Sequence, residues 1–549
     1  MNLTDKSILN IWGGGQLLAF SGFDGDTDCE RELLLRSVAD IAAFEVKLPQ
    51  TGGLLVADLA PPAACFIAGD HFELELRSGE KVRGAFLDAY HVLILGKVSV
   101  SGLSDAVRIK RRHGRMLLGV SSNFNETLIS TDFEEAWCAR RKWLENITPP
   151  AGLSDTELSA FYKACSMMKG QLRSPVGNFR CRWTTPDRWP HRWLWLWDSV
   201  FHAIGLRHID PDAAKEALSA IFAAQRPDGF VPHMTTPDSS TSITQPPIIA
   251  LGIKMVLEKT DDTEWLRDMY SKNKRFLEWI MANRDSDGAG LVEWAIEAHK
   301  NCRIGESGMD NSPRFDSATQ LDAPDFNAFL SSDCEIMAEL AHRLKLNEDT
   351  EFWQKHHDRL NSLINDRLWD DNAGLYVDYD VKTNKRSTVL SSAGFLPLLS
   401  GTASPEQTVR LAAQLQNPST FGTPLQIPSI SCGQPEFYSK DMWRGPVWIN
   451  INYLVALGFE RCGYSDLADK LRAATCAEIE KFYLKYGTFF EFYDDRCECD
   501  PPQLLRKGSN DIDISPYHQP LSDYGWSATL YIDMLFSKKP KTKKEGGFK

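Results

Sequence analysis

Beyond Pro149-Pro150 the apolar residues of this chain stop recurring at every second position and begin recurring at every third or fourth. That change of period limits what the chain can fold into more than any other feature, because strands and helices bury side chains at those two spacings. Before the prolines, Phe72, Leu74 and Leu76 alternate with His71, Glu73 and Glu75 as in a half-buried strand, and Ser78-Gly79 supplies a turn. Val92-Leu93-Ile94-Leu95 is an apolar run of strand length, with Val98 and Val100 alternating behind it. Gly52-Gly53 and Pro61-Pro62 punctuate the stretch. Residues 1–150 therefore predict a β-sandwich-like accessory domain. After it, Ser154 and Glu157 form a capping box ahead of Leu158, Phe161, Tyr162 and Cys165 on one helical face. Leu218, Ile221 and Phe222 mark another helix, and Trp265, Met269, Phe276 and Ile280 a third. Phe326, Phe329, Ile336, Met337 and Leu340 follow, then Phe352, His356, Leu360 and Leu363, and later Leu467, Leu471, Ala474 and Ile479. Ser404-Pro405-Glu406-Gln407 is a further helix start. No strict repeat is visible, so residues 151–537 predict a closed array of helix pairs joined by loops of uneven length. The basic run from Lys538 to Lys544 predicts a solvated, disordered tail over 538–549.

A net charge of −13 and a pI near 5.5 argue against nucleic acid as the main partner, and are compatible with a neutral polyol or sugar. Twelve cysteines form no framework, and Cys497-x-Cys499 lacks the second pair a zinc site needs, which predicts free thiols in a reducing compartment. The opening residues show no basic segment leading into an apolar block, and no run approaches the ~18 apolar residues of a membrane span. The expectation is a cytoplasmic protein with no membrane partner. Sixteen tryptophans matter through clustering: Trp189, Trp193, Trp195 and Trp197 fall within nine residues.

Polar-aromatic clusters occupy the loops and helix ends of the helical region. His191 to His202 contains Trp197-Asp198, a stacking face beside a carboxylate able to accept from paired hydroxyls. Thr244-Gln245-Pro246-Pro247 places an amide before two helix-starting prolines. Glu306-Ser307-Gly308-Met309-Asp310-Asn311-Ser312-Pro313-Arg314-Phe315-Asp316 is too polar for a packed core without partners. Trp443-Arg444-Gly445-Pro446-Val447-Trp448 again sets tryptophan beside charge, and Glu491 stands among Phe489, Phe490, Phe492 and Tyr493. A carboxyl among rings is desolvated, which raises its pKa toward values useful for proton transfer. Asp310 and Glu491 would then suit the acid and base of sugar-bond hydrolysis, which in an inverting enzyme stand about 6.5–9.5 Å apart around a water. The residues alone leave a second reading open, in which Asp310 caps a helix and Glu491 lies on a surface.

Taken together, Trp197-Asp198-Ser199, Thr244 to Pro247, Glu306 to Ser312, Trp443 to Trp448 and the aromatic-flanked Glu491 resemble glycoside hydrolase family 63 and its mannosylglycerate and glucosylglycerate hydrolases. Trehalases share a similar Glu-Ser-Gly-x-Asp element. The resemblance, over roughly residues 155–535, implies an (α/α)6 toroid of six helix pairs and inversion of configuration. It puts Asp310 on the general acid and Glu491 on the general base. Trp197, Asp198, Gln245, Trp443 and Trp448 fall on positions that hold the terminal sugar, Asn311 and Arg444 orient acid and glycone, and His202 is counted with the substrate-binding residues. Some members carry calcium on an Asp-rich turn that Arg284 to Gly290 resembles; Ala289 stands where a third oxygen ligand is expected, so no required metal and no cofactor are predicted.

The expected function is an exo-acting, inverting α-glycosidase, an α-glucosidase acting on a small α-glucoside from the non-reducing end. The competing substrates are mannosylglycerate, glucosylglycerate and trehalose-like sugars, and a glycerate aglycone would want a convergent cation from among Arg192, Arg303, Arg314 and Arg444. An inverting phosphorylase and a non-catalytic sugar-binding protein are the rivals from other classes. Oligomeric state is not legible.

Overall fold

A computed structural model describes residues 8–47, 51–296, 304–318 and 320–538. The basic tail from 539 onward and Arg303 lie outside the described residues. The N-terminal region carries β1 (Leu17–Ala19), β2 (Leu34–Ser37), β3 (Ala42–Lys47), β4 (Thr51–Asp58), β5 (Ala64–Ile67), β6 (His71–Glu75), β7 (Lys81–Asp88), β8 (His91–Leu95), β9 (Ser99–Ser101), β10 (Val107–Arg112) and β11 (Arg115–Val120). They form two antiparallel sheets, ordered β1-β2-β3-β4-β9 and β10-β11-β8-β7-β6-β5. Leu18, Leu35, Phe44 and Leu55 of the first meet Phe72, Leu74, Phe86, Val92 and Ile94 of the second, which makes the expected sandwich.

The outer face of the second sheet is also covered. Phe66, Leu93 and Leu117 pack with Phe133, Trp137 and Leu144 of helix α1 (Phe133–Glu145). This explains the continuous run Val92-Leu93-Ile94, since a strand buried on both faces needs no alternation. Helix α1 thus adds a helical layer to the β-rich region expected over residues 1–150. Asp132 starts α1 by accepting from the Glu134 and Glu135 amides, a cap that the sequence shows once the helix is looked for.

The helical region continues with α2 (Asp155–Gln171), α3 (Leu196–Leu206), α4 (Pro211–Ile221), α5 (Ile249–Leu257), α6 (Thr263–Asn283), α7 (Pro324–Arg343), α8 (Asn347–Leu368), α9 (Pro405–Gln416), α10 (Ile449–Arg461), α11 (Ser465–Tyr486) and α12 (Gly525–Phe536). Both sequence-predicted capping boxes form: the Glu157 amide donates to Ser154 Oγ at 3.3 Å and the Gln407 amide to Ser404 Oγ at 3.2 Å, each returned by the longer side chain. The expected face of α8 is off by one position. Its core side is Trp353, His357, Leu360, Ile364 and Leu368, rotated from the expected Phe352 and His356. Phe352 remains 38% exposed because Trp353 takes the interior, where its Nε1 donates to Tyr270 Oη at 3.0 Å.

Helix packing follows a cycle. Helix α3 packs on α5, α5 on α7, α7 on the 3-10 segment Ser392–Leu398, that segment on α10, α10 on α12, and α12 returns to α3. Helices α2, α4, α8 and α11 pack on α12, α3, α7 and α10 respectively. One member of the inner cycle is thus a Pro397-containing 3-10 turn where a sixth regular helix was expected. Among the described residues no helix is long and apolar enough to cross a membrane.

Candidate active site

The sequence clusters converge because they sit at corresponding helix ends. Trp197 and Asp198 occupy the first turn of α3, Gln245 precedes α5, Trp448 is the N-cap of α10, and Tyr524 and Trp526 flank the start of α12. Two short antiparallel pairs fasten distant loops together. Trp448 pairs with Phe492 and Val447 with Tyr493, which ties the Trp-Arg-Gly-Pro-Val-Trp stretch to Glu491. The Glu491 amide donates to Leu521 O at 2.9 Å, adding the segment before α12.

A small cavity results, lined by Trp197, Asp198, Gln245, Asp310, Trp448, Glu491, Arg506, Tyr524 and Trp526 among others. Larger hollows elsewhere on the molecule, such as the one between β5, β6 and α1, bring together no comparable acid–base chemistry. Trp443 stacks on Trp448 with ring centres 3.8 Å apart and planes 4° from parallel, while Trp526 meets both Trp197 and Trp448 at steep angles. Gly308 is required here: its φ is +73°, and any Cβ would run into the Trp197 ring. Among the described residues the buried Nε1 of Trp526 has no hydrogen-bond partner, and Asp198 Oδ1 accepts from Tyr524 Oη at 3.5 Å. Such groups face the cavity as a donor and an acceptor for hydroxyls. Burial holds the Asp198 carboxyl well above the usual carboxylate range, with the nearby Glu491 and Asp187 charges adding to it.

Asp310 and Glu491 both reach this cavity, and each meets a cation that the sequence reading missed. Arg506 forks Glu491, with Nε to Oε2 at 2.8 Å and Nη2 to Oε1 at 3.1 Å. The adjacent Lys507 places Nζ 2.9 Å from Asp310 Oδ2. One turn, Arg506-Lys507-Gly508, therefore grips both carboxylates, and the Gly508 amide anchors it on Asp441 Oδ2 at 3.0 Å. The structure excludes the alternative reading of the pair, since Glu491 is 2% exposed and Asp310 caps none of the described helices. The sequence reading assigned neither carboxylate a counterion. Burial does push Asp310 up, but Lys507, with Arg506 and His233 behind it, holds it below its ordinary value. The basic pair before Gly508 was the available signal: two buried acids of like charge need counterions.

The remaining sequence candidates take supporting places. Gln245 lines the cavity and its Oε1 accepts from the Trp197 amide at 3.1 Å. Asn311 Oδ1 accepts from the Trp443 amide at 2.9 Å, so it joins the Asp310 loop to the Trp443 loop. Arg444 pairs with Asp316 at the rim and is not among the cavity-lining residues. His202 is fully buried behind the wall, with Nδ1 2.8 Å from Thr184 Oγ1, and burial pushes it down to about 3; it does not reach the cavity. Glu306 is a loop anchor, accepting from the Thr244 and Ala295 amides and from Arg284 Nη2 at 2.8 Å. Of the arginines expected for an acidic aglycone, Arg314 is buried between Asp325 and Asp378, and Arg192 bonds Cys29 O. Arg506 and Lys507 are the cations at the site. His191 lines it too, its Nδ1 2.6 Å from Asp187 Oδ2.

Asp285, Asp287 and Glu293 bring ligand oxygens within 4.8 Å of one another. Asp285 Oδ2, Asp287 Oδ1 and Glu293 accept from the Gly290, Ala289 and Ser286 amides, and Arg367 pairs with Asp287 at 3.0 Å and with Asp322 at 2.8 Å, while Asp285 Oδ1 and Asp322 Oδ1 are buried without a hydrogen-bond partner among the described residues. Arg367 braces the turn, and no chemistry is routed through it.

Paired carboxylates at an aromatic, hydroxyl-matching cavity inside a ring of helices define a glycoside hydrolase. A family model described as the mannosylglycerate hydrolase MGH1-like glycoside hydrolase domain matches residues 191–497, more than half of the chain, and the protein belongs to that family. It is 27% identical over 395 residues to the mannosylglycerate hydrolase MGH1 of Selaginella moellendorffii, covering 57% of this chain and 77% of that protein. Over 400 residues it is 27% identical to a mannosylglycerate hydrolase of Thermus thermophilus, with 58% and 92% covered. The crystal structure of a GH63 mannosylglycerate hydrolase from another strain of Thermus thermophilus, in complex with Tris and D-glycerate, superposes with a TM-score of 0.57 at 25% identity. That match covers 68% of this chain and 99% of the other, so about a third of this chain is additional to it.

Proposed function

We propose that this enzyme hydrolyses an α-glycoside of glycerate, mannosylglycerate or its glucose epimer, by single displacement with inversion. The observation that carries the reading is the meeting of Asp310 and Glu491 at one small cavity whose walls offer Trp197, Trp448, Trp526 and Asp198 to a sugar. The activities named for the similar proteins favour glycerate over the simple α-glucoside expected from sequence. In the proposed step Asp310 protonates the departing oxygen while Glu491 takes a proton from the water that attacks the anomeric carbon. Lys507 must leave Asp310 before that carboxyl can carry a proton. We further infer that the closed helix cycle is an (α/α)6 toroid in which the 3-10 segment replaces one inner helix. Eleven free cysteines among the described residues support a cytoplasmic enzyme.

The test is a panel of mannosylglycerate, glucosylglycerate, trehalose and simple α-glucosides, with released anomers followed by proton NMR. Early β-anomer from a glycerate glycoside, with simple glucosides turned over far more slowly, is the expected result. Early α-anomer would contradict the displacement, and activity that requires phosphate would move the enzyme to the phosphorylases.

A further inference from the structure

A buried aspartate ties the N-terminal sandwich to the catalytic loops. Asp523 is 3% exposed and adopts φ +54°, a left-handed conformation uncommon for a residue with a side chain. Its Oδ2 accepts from the Leu17 amide of β1 at 2.5 Å, and its Oδ1 from the Thr488 hydroxyl. Its amide donates to Thr488 Oγ1 at 2.9 Å, and its carbonyl accepts from Gln171 Nε2 of α2. Lys163 of α2 stands 3.6 Å from Oδ1 and also bonds Gln16 Oε1 at 3.1 Å, beside β1. Alongside, Ser522 Oγ donates to Gly15 O at 2.8 Å.

What lies on either side of Asp523 gives this hub its meaning. Two residues before it, Leu521 O holds the Glu491 amide. One residue after it, Tyr524 faces Asp198. Thr488, which Asp523 grips, is three residues from Glu491 on the paired segment, and Phe490 bridges to Ser522. The sandwich also backs the other wall of the site: Arg36 of β2 and Lys47 of β3 lie 5.8 and 5.2 Å from the Trp189 ring, two residues from His191. Asp523 lies outside the family match, which ends at 497, as does the whole sandwich.

We propose that Asp523 is a positioning residue through which the N-terminal sandwich sets Glu491 and Tyr524 for catalysis, so that the sandwich is a working part of the active site and not an appended module. The inference rests on the assignment of Glu491 as base. A carboxylate suits the site because Leu17 and Thr488 donate to different oxygens and Lys163 stands 3.6 Å from Oδ1; an amide loses the charge that faces Lys163 and turns donor hydrogens toward its ammonium or toward the Leu17 amide. Without the grip, the Glu491 segment is held by fewer contacts, and displacements on the order of 1 Å cost about 100-fold in rate.

The full chain carrying Asp523→Asn, and separately Thr488→Val, would be compared with the parent for kcat, KM, melting temperature and hydrogen exchange. Folded variants with kcat down about 10–100-fold, KM within about threefold and faster exchange at the Glu491 amide are expected, with exchange in α8 unchanged. The double variant should lose little more than either single one, since both remove the same bond. A folded variant with kcat within twofold of the parent and unchanged exchange would overturn the proposal. So would a kcat loss that matches the fraction of unfolded protein. Glu491→Gln serves as the control: if it stays active, the proposed base is wrong, yet the exchange measurement still decides whether Asp523 holds that segment.

Discussion

Lys507→Met keeps most of the side-chain stem and removes the charge that lies against the proposed acid. Nζ stands 2.9 Å from Asp310 Oδ2, and both side chains are 20% exposed, so solvent screens the pair only in part. Two influences oppose each other at Asp310: burial raises its pKa, and Lys507 is the largest of the effects that lower it, ahead of Arg506 and His233. An opposite charge in contact is worth about 1–3 pKa units, or about 1.4–4 kcal/mol of preference for the ionised form. Removing it lets burial prevail, so the Asp310 pKa rises. The basic limb of the pH profile of kcat/KM reports deprotonation of the acid, and it moves to higher pH by the same amount. Stability follows the same sign. A depressed carboxylate contributes stability that is present above its ordinary value and lost as pH falls through the folded one, and the variant lacks that acid-side loss. The assay is kcat/KM on the hydrolysed glycoside from about pH 4 to 9, with folding checked by circular dichroism. A basic limb that stays in place, or moves down, would refute the assignment of Asp310 as the proton donor held by Lys507.

Asp310→Asn and Glu491→Gln should each lower kcat by about 100- to 10,000-fold while the melting temperature stays within a few degrees; near-normal turnover by either would end the carboxylate-pair mechanism. Gly308→Ala forces a Cβ into the Trp197 ring at φ +73°, so sugar affinity should fall and the protein lose about 1–3 kcal/mol of stability, read by calorimetry with the released sugar and by urea melts. Asp333, buried beneath α5 and accepting from the Ala250 amide at 2.9 Å, is pushed by burial up to about 8. The folded chain then retains a proton that the unfolded chain gives up near pH 4, so stability should decline as pH rises from about 4 to 8. Asp333→Asn should flatten that decline, and an unchanged slope would show that Asp333 is not its source.

Much of the site was legible because its residues are individually unusual. Glu306 to Asp316, Trp197-Asp198 and the aromatic run around Glu491 are expensive combinations to place in a core, and their chemistry alone singled them out. Their neighbours were harder. Arg506 and Lys507 offered only a basic pair before a glycine, which signals counterions without saying which acids they meet, and Asp523 belongs to an ordinary polar stretch. His202 shows the opposite error, a polar residue in a telling cluster whose helix turns it away from the cavity. On α8 both sides of the helix offered aromatic residues, so periodicity alone chose the wrong face by one position.

The sequence by itself determined the order of the two regions, the helix starts at Ser154 and Ser404, the sandwich strands, and the residues able to perform acid–base chemistry on a sugar. These depend on interactions spanning a few residues: side-chain alternation, capping and backbone restriction. The tertiary structure alone decided which carboxylates meet, which cations hold them and what the sandwich is attached to. Lys507 is 197 positions from Asp310, and Leu17 506 positions from Asp523. Contacts at such separations are set by how the helix ring closes and by the buried charges that must be neutralised inside it, and neither is written in the spacing of neighbours along the chain.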